Sequence, residues 1–362
     1  MAKATSPKRD DRLYDPTRFV KLANVPDFER IPTGMAAFDT YTCGGFPVGT
    51  ISLLSGPAGT GKTNFAICGI IGFQQRYPTA RALYLNADNK VDTPWALQLG
   101  VDGERVEVFS PDSADQAHDV TYHLCQKHKE IGYVLVDSLA ALSPEGEAIG
   151  EDDIGTAAKM NNKFFRKMTA LQLIRMREGH PLTFVVINQE RVKVGGKFPV
   201  PILPGGKQQE FQAALWLKFT AADAHVHPKL GIPLAITMHY HFKKNQGGAN
   251  NYPGETRMAI TPHGKWRPGQ MIDHEFVWIW GTYLGLMKSR GNLGVEYNHQ
   301  TWVKPALIAH WEDDPEAYRA AKRDLLATFK EWKKGKIDAH FAKEDVTLLT
   351  VGGTGEVQLA RS

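Results

Sequence analysis

Apolar and polar positions switch between two periods along the first two thirds of the chain. Short, nearly unbroken apolar runs at Ile51–Ser55, Ala82–Asn86, Val106–Phe109, Tyr133–Asp137 and Leu182–Asn188 predict buried strands. Between them the spacing turns helical: Phe65, Ile67, Ile70, Ile71 and Phe73; then Thr93–Leu99, Ser113–Ile131, and Thr156 to about Glu178. Strands alternating with helices predict an α/β fold, a mostly parallel twisted sheet with helices on both faces. After residue 210 the helices drop out. Gln212–Thr220, Ile232–Phe242 and Thr256–Ile260 follow one another as strands, which predicts an antiparallel extension of the sheet. Residues 270–340 read as a small C-terminal α+β unit, rich in Trp and Tyr, with a charged helix from Pro315 to Lys334. Phe276, Trp278 and Trp280 alternate there and read as core. Residues 1–30 read as an arm that contacts a neighbouring protomer, 31–269 as the main core, and 341–362, with its glycines, as a flexible tail.

Composition narrows the classes. With 362 residues and 42% hydrophobic content, the chain can bury a large core. No run of 18 apolar residues exists, so no membrane-spanning helix or membrane partner is expected. The polar start, Met1 to Asp11, lacks a secretory apolar segment. The three cysteines, Cys43, Cys68 and Cys125, are far apart and form no C-x-x-C, so neither zinc nor a disulfide framework is indicated. A cytoplasmic setting fits. A net charge of +4 leaves nucleic-acid binding to local loops, not to a global basic field.

The chemistry concentrates after the first apolar run. Gly56-Pro57-Ala58-Gly59-Thr60-Gly61-Lys62-Thr63 matches G-x-x-x-x-G-K-[ST] between a predicted strand and a predicted helix, with Asn64 next. Backbone N–H groups and the positive end of the helix dipole then converge on one spot that suits a polyphosphate. Lys62 would reach its terminal phosphates and the Thr63 hydroxyl would hold Mg²⁺; the alternative is a structural glycine turn. Asp137 ends the strand Tyr133–Asp137 at the sheet edge where open α/β folds bind ligands, and it reads as the second magnesium residue. Asp88 follows the strand Ala82–Asn86, which is expected to lie next to the phosphate-loop strand, and could activate water. Asp92 and Trp95 follow; Trp95 could stack on a base or pack in the core.

Asn188-Gln189 ends another strand and could sense the terminal phosphate. Beyond it, Glu190–Gln209 shows little periodicity. It carries Arg191, Lys193, Lys197 and Lys207 among Gly195, Gly196, Gly205 and Gly206, with Phe198 between. Cations for phosphates, glycines for close backbone approach and a ring for base contact suit a strand of DNA. A second loop, Pro144–Gly155, is acidic, so its charge does not point to DNA. His239 and His241, at i and i+2, read as a solvated or packed strand face. Lys243 and Lys244 end a strand and could reach a neighbour's phosphate.

The motif order resembles the bacterial RecA family of DNA strand-exchange proteins and their phage relatives. Ile31-Pro32-Thr33-Gly34 with Phe38-Asp39, Gly44-Gly45-Phe46-Pro47-Val48-Gly49, the phosphate loop and Ala87–Asp92 carry the likeness. Val136–Leu142, Val186–Gly195 and Gly205-Gly206 continue it, so it spans about 31–250. The resemblance implies a RecA-like P-loop NTPase core and an ATP- and Mg²⁺-dependent, DNA-stimulated ATPase. It also implies a homo-oligomeric helical filament on single-stranded DNA that pairs with duplex DNA, with single-strand-binding and mediator proteins as partners. It gives Asp88 the water-activating place, Gln189 the phosphate sensor, Trp95 the adenine stack, and Lys244 a contact to the neighbour's ATP. The family usually has Glu at Asp88, one methylene or roughly 1.5 Å longer, and a second lysine where Gln246 stands. The expected function is homologous recombination by strand exchange in a bacterial cell or phage-infected host. The alternatives are a ring-forming helicase motor on the same core, and a weakly catalytic recombination mediator, which the departures at Asp88 and Gln246 keep open.

Overall fold

A computed structural model describes residues 21, 27–142, 153–193, 200–248 and 250–335. Nearly all of the expected arm, Pro144–Asp152 of the acidic loop, Gly195, Gly196, Lys197 and Phe198, and the tail lie outside the described residues. Strands β1 (Arg30–Ile31) and β2 (Phe46–Pro47) pair around α1 (Ala36–Tyr41). The alternating core follows as β3 (Ile51–Gly56), α2 (Lys62–Arg76), β4 (Arg81–Asn86), α3 (Thr93–Leu99), β5 (Val106–Phe109), α4 (Ala114–Lys127), β6 (Ile131–Asp137), α5 (Asp153–Arg177) and β7 (Thr183–Gln189). A short pair, β8 (Arg191–Lys193) and β9 (Val200–Ile202), precedes α6 (Gln208–Gln212). Long strands β10 (Ala213–Val226) and β11 (Pro233–Asn245) and then β12 (Pro253–Ala259) complete the sheet. The C-terminal unit holds α7 (His274–Tyr283), β13 (Lys288–Ser289), β14 (Val295–Tyr297), β15 (Gln300–Trp302), α8 (Lys304–Asp313) and α9 (Pro315–Lys333).

The main sheet has eight strands in the order β12-β11-β10-β3-β7-β6-β4-β5. Every pairing from β10 to β5 is parallel, and β10-β11 and β11-β12 are antiparallel, as the loss of helices after residue 210 predicts. All residues of β3 and β6 are buried, because helices cover both faces and no position needs to be polar. One face sets Leu54, Tyr84, Leu135 and Ile187 against Phe65 and Phe73 of α2. The other sets Leu53, Leu83, Val134 and Val186 against Ala117 of α4 and Phe164, Phe165 and Met168 of α5.

The structure corrects one neighbour relation. β4 does not lie beside β3; β7 and β6 stand between them. Consecutive strands of a parallel sheet are joined by crossovers, and a crossover that passes over to the far side of later strands leaves no trace in local periodicity. The segment after Gln189 also differs from an unstructured loop. Arg191 pairs with Ile202 and Lys193 with Val200, so β8 and β9 form a short antiparallel stem.

Arg175 on α5 is fully buried and binds only backbone carbonyls. Its guanidinium donates to His180 O, Lys129 O and Ile131 O, each at 2.8 Å, and to Cys125 O at the C-terminal end of α4. It thereby satisfies carbonyls that the helix end leaves without partners. The C-terminal unit shares the core of the main body. Asp273 accepts from Ala36 N of α1 at 2.6 Å and from the Tyr318 hydroxyl at 2.7 Å, and Trp280 and Phe276 pack edge-on against Tyr41 at 5.7 and 5.5 Å. Phe276, Trp278 and Trp280 lie on α7 and are half-buried.

Candidate nucleotide site

The parallel register brings four strand ends to one edge. Gly56 of β3 pairs with Gln189 of β7, and Asn86 of β4 with Asp137 of β6. The chain leaves β3 through Gly56, whose φ is +138°; a Cβ there would stand 2.3 Å from Phe219 O. It enters α2 through Gly61, with φ of +83° and no side-chain cap. Only glycine combines such a φ with such close neighbours. The uncapped first turn of α2 leaves its N–H groups pointing into a cleft of about 280 Å³. Residues 58–64, Asp137, Ile187, Gln189 and Ile236 line it.

Lys62 is buried and folds back on the loop. Its ammonium donates to Gly56 O at 3.0 Å, to Thr60 Oγ1 at 3.2 Å, and to Pro57 O. Burial pulls its pKa down to about 8, against the opposing attraction of Asp137 and Glu190. The Thr63 hydroxyl donates to Asp137 Oδ2 at 2.9 Å, and the Tyr84 hydroxyl donates to the same oxygen at 3.0 Å. Burial pushes the Asp137 carboxyl above its ordinary range and the Asp88 charge adds to this; the two hydroxyl donors pull the other way. A buried carboxylate beside a threonine hydroxyl is a hard-oxygen pair that suits Mg²⁺, and the amide-lined turn with its lysine suits a polyphosphate. The residues fit ATP with Mg²⁺.

Although β4 is remote from β3, Asp88 meets Gln189, which lines the cleft. Ser138 Oγ donates to its Oδ1 at 3.2 Å and Gln189 Nε2 lies 3.4 Å from its Oδ2. Asp92 caps α3 by accepting from Trp95 N at 3.0 Å, and the half-buried Trp95 ring donates Nε1–H to Asn64 Oδ1 at 2.9 Å. That bond fixes the indole at the first turn of α2, beside the phosphate loop.

Other expected residues lie apart from the cleft. Lys244 donates to Phe211 O at 2.9 Å, at the end of α6, and is not among the cleft residues. Arg191 and Lys193 belong to β8, while Gly205, Gly206 and exposed Lys207 follow β9; both glycines have positive φ. His239 pairs with Asp223 at 2.8 Å on an exposed strand face. Reasoning from sequence missed Tyr84, which sits inside an apolar run. The polar hydroxyl of an otherwise buried tyrosine, which needs a partner, was its signal. It also passed over Ser138 beside Asp137, and Gln209, which carries no local signal.

Comparison with known families decides the assignment. A family model described as the RecA N-terminal domain matches residues 8–231, more than half of the chain. The chain belongs to the RecA family. It is 30% identical over 224 residues to the RecA protein of Acholeplasma laidlawii, covering 60% of this chain and 65% of that protein. It is 35% identical over 196 residues to that of Mesomycoplasma hyopneumoniae strain 7448, covering 53% and 56%. It is 32% identical over 211 residues to that of Frankia alni, covering 57% of each. The chain thus matches well under the full length of these RecA relatives, and the match to the family model ends within the β10–β11 hairpin. Among the described residues no helix is long and apolar enough to cross a membrane.

Proposed function

We propose that this RecA-family chain is an ATP-dependent homologous recombinase that polymerises on single-stranded DNA, pairs it with homologous duplex DNA and exchanges strands. One observation supports this reading above others: Gln189 lines the phosphate cleft, touches Asp88 and is followed at once by the basic, glycine-rich segment that closes at Gly205-Gly206. A nucleotide site and a DNA-facing segment are then parts of one strand end.

In this reading bound ATP·Mg²⁺ supplies the phosphoryl group and neutralises charge around it. Lys62 leaves its carbonyls for the phosphates, with the N–H groups of residues 58–63 beside it. Thr63 and Asp137 would hold the magnesium ion. Asp88, fixed by Ser138 and Gln189, orients water and takes its proton. Trp95 stacks on the base. Arg191, Lys193, Gly195, Gly196, Lys197, Phe198, Gly205, Gly206 and Lys207 meet the DNA, and Lys244 completes the ATP site of an adjacent protomer in a helical filament. Residues 1–30 serve as the protomer contact, 31–269 as the ATPase and DNA core, and 270–340 as a C-terminal domain. Single-strand-binding and mediator proteins are partners in a cytoplasmic setting.

The test is ATP hydrolysis with and without single-stranded DNA, beside Lys62→Ala. Stimulation by DNA that disappears in the variant supports the reading, and electron micrographs with ATP and DNA should then show filaments. Hydrolysis indifferent to DNA rejects it.

A further inference from the structure

Strand β7 ends on two amides whose side chains face opposite sides, as alternation along a strand requires. Gln189 faces the cleft and Asp88. Asn188 is buried on the other side, where its Nδ2 donates to Pro204 O at 2.7 Å and to Gln209 Oε1 at 2.8 Å. Gln209 is also fully buried, and its Nε2 donates to Pro204 O and Gly206 O, each at 2.8 Å. Two interlocked amides therefore grip the turn that closes the basic segment. One of them is covalently joined to the residue that touches Asp88. The opening end is tied as well: Glu190 N donates to Gly56 O at 3.2 Å, and Lys218 pairs with the Glu190 carboxylate at 3.0 Å.

Asn188 Nδ2 and both ends of the Gln209 amide are hydrogen-bonded, and of these two amides only Asn188 Oδ1 lacks a partner; a buried chain of bonds of this kind carries a shift at one end to the other. We propose that Gln209 is a positioning residue: through Asn188 it sets the Pro204–Gly206 turn relative to the Asp88–Gln189 pair, so that DNA on the segment is registered at the nucleotide. This rests on the functional reading above. Gln209 touches neither nucleotide nor the reacting atoms. It acts by holding carbonyls whose displacement would move the end of β7.

The test compares Gln209→Met with Gln172→Met. Gln172 is a buried amide of α5 that donates to Leu182 O at 2.9 Å, at the opposite end of β7, and so reports the cost of losing a buried amide bond alone. Melting temperature, DNA affinity by fluorescence anisotropy, and hydrolysis with and without single-stranded DNA are measured for both variants and the unaltered chain. In Gln209→Met, DNA-free hydrolysis and DNA affinity should stay within about twofold while stimulation by DNA falls about fivefold or more. Gln172→Met should melt earlier yet keep its stimulation. If the methionine variant does not fold, Gln209→Glu replaces it; it can still accept from Asn188 but cannot donate to Pro204 and Gly206, and it should lose stimulation likewise. Normal stimulation in the Gln209 variants, or equal losses in both positions, overturns the proposal. Absence of stimulation in the unaltered chain rejects the functional reading and this proposal together, and that failure shows in a different arm from failure of the proposal alone.

Discussion

Lys62 and Glu190 meet on one atom, the Gly56 carbonyl oxygen, which accepts from the lysine ammonium at 3.0 Å and from the Glu190 N–H at 3.2 Å. The phosphate-loop lysine and the first residue of the segment that follows β7 therefore share one acceptor. In the proposed reading, Lys62 turning to a phosphate would leave that acceptor to the Glu190 bond alone and strengthen it.

The Lys62 ammonium, drawn down to about 8 by burial, gives a signed pH dependence. Below pH 8 it is charged before nucleotide arrives. Above pH 8 it is increasingly neutral in the nucleotide-free protein, and a polyphosphate must recharge it. Nucleotide binding should take up protons above pH 8, and the Kd should rise with pH at up to about tenfold per unit. Calorimetry in buffers of different ionisation enthalpy measures the uptake; a heat independent of buffer at pH 9 contradicts it.

Asp137 predicts a change of sign with ligand. Its carboxyl pKa is raised by burial, so the cost to folding is absent at low pH where both states are protonated, grows as the pH rises past the unfolded value, and is complete above the folded value. At pH 7, without magnesium, Asp137→Asn should melt at or above the temperature of the unaltered chain. With magnesium and ATP the order should reverse, because the unaltered chain gains the metal bond. Differential scanning fluorimetry in both conditions reads the crossing.

Removal of the Asp88 charge should leave binding and stop chemistry. Asp88→Asn keeps size and one acceptor for Ser138, so nucleotide affinity should stay within about twofold while turnover falls about 100-fold. Affinity falling in step with turnover would show that Asp88 serves binding instead.

Arg175→Met should be the most destabilising of these changes. It strands carbonyls of the turn after α4 and at the start of β6, around a guanidinium that is itself fully buried. A loss of about 3 kcal/mol or more is expected. Urea denaturation measures it, and a loss under about 1 kcal/mol would mean water replaces the guanidinium.

Much of this site is legible in the chain because its parts are local. A phosphate loop is eight consecutive residues, and Asp137 closes an apolar run whose burial on both faces leaves no alternation to misread. The role expected of Asp88 rests on β4 lying beside β3, and the meeting of Asp88 with Gln189 has no signal in the sequence. It depends on the order of strands, and β4 reaches the cleft across β6, not from beside β3. The β8–β9 stem is three residues on each side, too short for periodicity to register. Gln209 gains its meaning from Asn188 and Pro204, contacts fixed by packing and not by spacing.

The strand that carries the phosphate loop has a consequence for synthesis. β3 takes both its neighbours from far downstream, β7 on one side and β10 on the other. While a ribosome makes the chain, Ile51–Gly56 therefore emerges as an apolar strand with two bare edges; β7 can cover one, and the other stays bare until β10 has followed. Bare apolar edges pair with whatever strand is at hand. The interval between translation of β3 and of β10 is the period in which a nascent chain of this topology most needs a chaperone.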